Sequence, residues 1–268
     1  MDRVDDLEGK GRHYFHPVTE HAMPSVTNVN AILPKPWLLK WAVTEERKLV
    51  LEAASAVYAS LNGEKVSPIE FRKRMAMAVP TKRAHETIRD DAAELGTAAH
   101  AFIEWRILGD LGLPRGPEPK LPKSAELGVI AWEKWAKSVN FQPAYSEKRL
   151  YSDELDSAGT TDAIIGAMDV FMLAMTPRRI KVLADWKLTK RIDRSAEVQV
   201  AVLRHMAIER GLLDEKAWGL VLRLPKTTRE TEAEERYIQP SRCRELVEVF
   251  RAARLIWKWA NVDKETPK

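Results

Sequence analysis

The chain has 268 residues, enough for one or two domains, and its 45% hydrophobic content supplies a packed core. Its 43 Lys and Arg against 39 Asp and Glu leave a net charge of +4, which permits polyanionic partners without requiring them. Cys243 is the sole cysteine, which excludes a disulfide or a four-cysteine zinc or iron-sulfur site within the chain and points to a reducing, cytoplasmic setting.

Residues 1–24 are polar, and the acids at the start leave no apolar block, so the segment does not read as a signal peptide. No uncharged apolar run reaches spanning length, and a soluble protein with no membrane partner is expected. His13, His16 and His21 make a metal conceivable here, but nothing fixes a geometry, so the expectation is a flexible N-terminal arm.

Helical periodicity starts at "SVTNVNAILPKPWLLKWAV", where Pro34 and Pro36 separate a short first segment from Trp37 to Val43, and Glu45 to Ala59 reads as a longer helix. In "SPIEFRKRMAMAV", Ser67 is a cap candidate, Pro68 takes the first helical position and Glu70 completes a capping box. The stretch from Thr81 to Gly112 is the longest helical candidate, interrupted only by Gly96, and it ends in the Gly and Pro cluster "GDLGLPRGPEPKLPKS". Another helix is expected from about Ser124 to Ser138.

Near Phe141 the pattern changes to strands. "AYSEKRLYS" alternates, "AGTTDAIIGAMDVFML" is strand-like around its glycines, and "RRIKVLADWKL" is an apolar, β-branched run. "MTPRR", residues 175–179, is the expected turn between the last two, which makes them adjacent antiparallel strands. "SAEVQVAVLRHMAIERG" returns to helical spacing and stops at Gly211. "AWGLVLRLPK" and "ERYIQP" follow as strands, and "SRCRELVEVFRAARLIWKWAN" as an amphipathic helix. The order indicates one α/β domain over residues 25–268, helical over about 25–140 and with its sheet core over about 141–258. Of the nine tryptophans, Trp105, Trp132, Trp257 and Trp259 lie in helical segments with apolar neighbours and read as core rather than as base-stacking platforms.

In a strand, side chains alternate, so Ile180, Val182, Ala184 and Trp186 share one face while Lys181, Leu183, Asp185 and Lys187 share the other. Alone, Asp185 and Lys187 would be an ordinary surface ion pair. Asp162 lies on the preceding strand, downstream of Gly159, a position suited to close backbone approach or to a bulge. His100 and Glu104 share a helix face, and Gln199 lies on the helix after the strand. Each has an ordinary structural reading when taken singly.

Together, "GTAAHAFIE", "SEKRL", "AGTTD", "LADWKLTK" and "EVQVAVL", in this order and spacing, resemble the PD-(D/E)XK nuclease superfamily, in its branch of RecB-type nucleases and phage exonucleases. The resemblance runs from residue 25 to about 258 and implies a central mixed β-sheet flanked by helices, a restriction-endonuclease-like core with a helical N-terminal part. It implies His100, Asp162, Asp185 and the backbone carbonyl of Trp186 as ligands of Mg²⁺ or Mn²⁺, with Lys187 as the catalytic lysine. Glu147 matches a frequent acidic position, and Gln199 the glutamine of the following motif. It further implies an exonuclease on DNA in recombination, repair or phage DNA processing, possible recombination or replication protein partners, and products with a 5′-phosphate.

Two positions depart from the pattern: Leu203 stands where a tyrosine is common, and Thr161 where a proline is common before the aspartate. Carboxylates with an imidazole suit Mg²⁺ or Mn²⁺ and leave positions open for water and phosphate. Lys190, Arg191 and Arg194 follow directly and could contact a phosphate backbone, or could simply be solvated. The alternatives are a catalytically degenerate nucleic-acid-binding module of the same fold, and a hydrolase of small phosphate esters.

Overall fold

The computed structural model describes residues 4–7, 11–170, 178–226 and 231–265. They divide into two compact units, one of Met1–Leu33 with Leu95–Lys268 and one of Pro34–Glu94. The stretch expected as one domain over 25–268 spans both units, because α2, α3 and the start of α4 pack mainly among themselves.

The smaller unit contains α2 (Pro36–Ser60), α3 (Pro68–Ala78) and the first turns of α4 (Ala84–Asp110). Two segments were expected where α2 is continuous. Nothing between Val43 and Glu45 breaks the backbone ladder, and the helix accommodates Thr44, whose hydroxyl donates to the Lys40 carbonyl at 2.8 Å. The α3 start is as expected: Pro68 opens the helix, and Ser67 Oγ accepts from the Glu70 amide at 3.1 Å.

In the larger unit, β4 (Gln142–Ser152), β5 (Ser157–Val170), β6 (Arg178–Leu188), β7 (Trp218–Leu224) and β8 (Glu234–Ile238) form a five-stranded sheet in chain order. β6 and β7 are parallel and the other neighbours antiparallel. Parallel neighbours need a crossover, which α6 (Arg194–Glu209) supplies. The expected antiparallel pairing of β5 with β6 is therefore present, whereas the proposed turn at 175–179 lies partly outside the described residues.

Both faces of the sheet are covered, as a mixed α/β fold requires. On one side α1 (Val26–Asn30), α6 and α7 (Pro240–Glu265) pack on Leu150, Ile164, Leu183 and Val221. On the other, the later turns of α4 and α5 (Lys123–Ser138) pack on Ala163, Val182, Ala184 and Trp186. Trp132 and Trp257 are in these cores and Trp105 is half-buried, but Trp259 is 78% exposed. Two residues on a helix are about 200° apart, so burying Trp257 turns Trp259 outward.

Within residues 1–24, where a loose arm was expected, the described residues carry three strands. β1 (Val4–Leu7), β2 (Gly11–Phe15) and β3 (Ala22–Pro24) form an antiparallel sheet. Tyr14 and Met23 are 3% and 2% exposed, and a parallel bridge joins Ser25 to Ala158 of β5. His16 Nε2 lies 3.0 Å from Asp153, and His21 Nε2 lies 2.9 Å from Asp156, both in the β4–β5 connection. Val18 and Thr19 amides donate to His16 Nδ1 at 3.2 and 3.0 Å, which makes Nδ1 an acceptor and leaves Nε2 facing Asp153. These histidines fasten the segment to the sheet rather than forming a metal site together.

Candidate functional site

β6 carries two environments on alternate residues. Trp186 is 1% exposed, with its ring edge-on to Trp132 at 6.0 Å and to Trp135 at 5.6 Å. Asp185 and Lys187 point to the opposite face, where the Lys187 ammonium donates to Asp185 Oδ1 at 3.0 Å. Gln199, presented by α6, locks both: its Nε2 donates to Asp185 Oδ1 at 3.0 Å and its Oε1 accepts from Lys187 at 3.4 Å.

Asp162 enters from β5. The β5–β6 register runs from Val170 paired with Arg178 to Ala163 paired with Ala184; beyond that, Asp162 Oδ2 accepts the Trp186 amide at 2.6 Å. A carboxylate thus replaces a ladder carbonyl where the strands part, and the two acids end at the same end of two central strands. Its Oδ1 lies 3.4 Å from His100 Nδ1.

His100 is delivered by helical periodicity. Ala99, Ile103 and Ile107 are fully buried against the sheet, so their next neighbours His100 and Glu104 lie together at the margin of the apolar stripe. Glu147 comes from β4, where its neighbours Ser146 and Lys148 pair with Ala163 and Thr161, opposite the Asp162 position. Its φ of 45° is in the left-handed region, which costs a residue with a side chain on the order of 1 kcal/mol. One ligand atom from each of His100, Glu147 and Asp162 lies within 4.8 Å of the others.

The electrostatics follow from crowding acids into a dry corner. Burial opposes the charged form of His100, but the Asp162 carboxylate outweighs it and holds the imidazole pKa up at about 9. Burial pushes Glu147 up to about 8, with Asp162 and Glu104 adding repulsion. Burial raises Asp185 as well, although Lys187 opposes the rise, whereas Asp162 is drawn below the usual carboxylate range because His100 and Lys187 overcome its burial. Lys187, despite burial, is held above the ordinary lysine value by Asp185 and Asp162. The lysine is therefore an ammonium near neutral pH.

A divalent cation fits these donors. The Lys187 ammonium lies 2.8 Å from Asp185 Oδ2, but without hydrogen-bond geometry, so this buried oxygen has no hydrogen-bond partner. Asp185 Oδ2 is thus ion-paired but accepts no hydrogen bond, and the neighbouring group of His100, Glu147 and Asp162 offers carboxylate oxygens and one imidazole, a donor set of the kind that hard divalent cations take. A second group, Glu154, His205 and Glu209, is more exposed, and Glu154 is already paired with His205 and Arg251.

Of the expected site residues, His100, Glu147, Asp162, Asp185, Lys187 and Gln199 converge, with the Trp186 backbone between the two aspartates. Lys190 and Arg191 stand exposed on the β6–α6 loop, outside this cluster of contacts. Sequence reasoning missed Arg12, Tyr14 and Thr160. These line a groove of about 450 Å³ that reaches Gln199 and Leu203, with the Tyr14 hydroxyl 3.1 Å from Thr160 Oγ1. Leu203 packs in the core beneath it, and a β-carbon on Gly159 would come within 2.8 Å of its side chain, so the close approach expected at this glycine is real. The only sequence signal for Arg12 and Tyr14 was an alternating short run in a polar segment.

Neither protein-family models nor curated proteins give a match to this chain.

Proposed function

We propose that the protein is a metal-dependent DNA nuclease of the PD-(D/E)XK type, built on a restriction-endonuclease-like core and acting as an exonuclease in recombination, repair or phage DNA processing. One observation carries the reading: Lys187 is hydrogen-bonded to Asp185 on the central strand of the sheet, where Asp162, Glu147 and His100 converge, and Asp185 Oδ2 is buried without a hydrogen-bond partner. The order of the sequence motifs supports it, because the same residues stand in the pattern of that superfamily.

His100, Asp162, Asp185 and the Trp186 carbonyl would hold Mg²⁺ or Mn²⁺, with Glu147 beside them. Bound there, the ion would supply Lewis-acid polarisation of a phosphodiester and acidify a water. Lys187 keeps an ammonium charge next to the reacting phosphate and stabilises negative charge as it develops. Gln199 restrains the lysine and the aspartate, so that neither must reorganise during the reaction. Arg12, exposed at the groove beside Gln199, offers a cation to the nucleic-acid backbone, as do Lys190 and Arg191 on their loop.

The test is digestion of end-labelled single- and double-stranded DNA, and of closed circular DNA, with Mg²⁺ or Mn²⁺. Cleavage of the linear forms from an end, lost in Asp185→Ala with DNA binding retained, is the expected result. Failure to cleave any form would leave the noncatalytic nucleic-acid-binding reading, which the replacement of the common tyrosine by Leu203 favours.

A further inference from the structure

Two consecutive side chains of β5 reach across to β6 at the point where these strands part. Their last registered pair is Ala163 with Ala184; beyond it β5 stays paired with β4 as far as Ser157, and β6 stays paired with β7 as far as Leu188. There Asp162 Oδ2 accepts the Trp186 amide at 2.6 Å. The fully buried Thr161 hydroxyl donates to the Ala184 carbonyl at 3.3 Å and to the Ala163 carbonyl at 3.4 Å. A hydroxyl has one proton to give, so Thr161 shares it between the two carbonyls of the last pair.

These contacts bracket Asp185. The Ala184 carbonyl belongs to the peptide that leads into the aspartate, and the Trp186 amide to the peptide that leads out of it, so Thr161 and Asp162 grip the backbone on either side. Asp162 is itself one of the clustered ionisable groups, whereas Thr161 carries no charge and its hydroxyl bonds only to backbone. At this position the superfamily pattern commonly has proline, which offers no hydroxyl, so the donor is a feature of this chain.

A carboxylate ligand must point at its cation, and the groups that bond to its surroundings hold that direction. An aspartate has a short side chain, so the peptide planes beside it set where its oxygens lie. We propose that Thr161 is a positioning residue for the cation: its hydroxyl fixes the peptide between Ala184 and Asp185, and with it the direction of the Asp185 carboxylate. This rests on the reading of Asp185, Asp162 and His100 as cation ligands.

Calorimetric titration of Mn²⁺ into the full chain tests this, at a temperature where each variant keeps the circular-dichroism spectrum of the wild type. Thr161→Val keeps the shape without the hydroxyl and should bind Mn²⁺ roughly three- to tenfold more weakly, within the range that one hydrogen bond spans. Thr161→Ala should be at least as weak, while Thr161→Ser, which keeps the hydroxyl, should bind within about twofold of the wild type. A role confined to strand stability would lower the melting temperatures and leave the Mn²⁺ affinity of the folded variants unchanged, and that result overturns the inference. So does Thr161→Ser binding as weakly as Thr161→Ala, which would assign the effect to the methyl group. If Thr161→Val does not fold, the alanine and serine variants decide by the same criteria. Binding that is absent from the wild type, or unchanged in Asp185→Ala, overturns the cation reading and this inference with it. Binding lost in Asp185→Ala but equal in the wild type and the hydroxyl-free variants overturns this inference alone.

Discussion

The two faces of β6 differ by one residue in sequence and by nearly everything in environment. On one, Trp186 is locked among Trp132 and Trp135, and its contribution is packing. On the other, the buried Asp185 and the half-buried Lys187 are held by each other and by Gln199, with one carboxylate oxygen left without a hydrogen bond. The contrast shows how a fold tolerates an expensive polar cluster. The apolar face fixes the strand, so that charges on the opposite face cannot relax away from one another.

The sharpest way to break the comparison is to remove one charge at a time. Asp185→Ala should abolish Mg²⁺- or Mn²⁺-dependent cleavage and the cation-induced rise in melting temperature. Lys187→Ala should lower cleavage about a hundred- to a thousand-fold while retaining cation binding, because the lysine is not a ligand. Loss of cation binding in that variant, followed by titration calorimetry, would contradict the assigned roles.

The packing face should respond in stability instead. Trp186→Ala should cost about 3–5 kcal/mol in chemical denaturation. Trp186→Phe, which keeps an aromatic ring against Trp132 and Trp135, should be milder and leave cation binding in place. A Trp186→Phe protein that folds but no longer binds the cation would mean that the ring itself shapes the site.

Proton linkage separates the faces more gently. Without a cation, His100 holds its proton up to about pH 9 and Glu147 up to about pH 8. Both values lie above the unfolded ones, so the stability they contribute is present at low pH and is lost as pH rises through them. Binding a cation requires those protons to leave, so the melting temperature of the cation-free protein should fall from about pH 6 to about pH 9, while the increment from Mn²⁺ grows. An increment independent of pH would show that His100 and Glu147 are not displaced from their protons. Smallest of all, His16→Ala should cost no more than about 1 kcal/mol, since it removes a partly exposed contact to Asp153 on the N-terminal sheet.

Much of the site was legible because its residues sit in strongly patterned elements. The apolar run around Asp185 and Lys187 could only be a strand, and strand alternation assigns their shared face. The buried repeat of Ala99, Ile103 and Ile107 gives His100 its direction in the same way. The N-terminal sheet was not legible: its strands are three to five residues long, and they are secured by contacts such as Tyr14 to Thr160, 146 residues away. Neither short-range propensity nor composition reports a bond of that separation, so Arg12 and Tyr14 went unnoticed as groove residues.

The sequence by itself determined the elements of the sheet, the capping of α3 and which side chains of β6 share a face, because these follow from periodicity and local hydrogen bonding. Tertiary structure decided that Asp162 takes the Trp186 amide, that Glu147 is turned toward it and that Gln199 closes on the lysine. Those contacts join four separate elements, and their geometry exists only once the sheet and its flanking helices have packed.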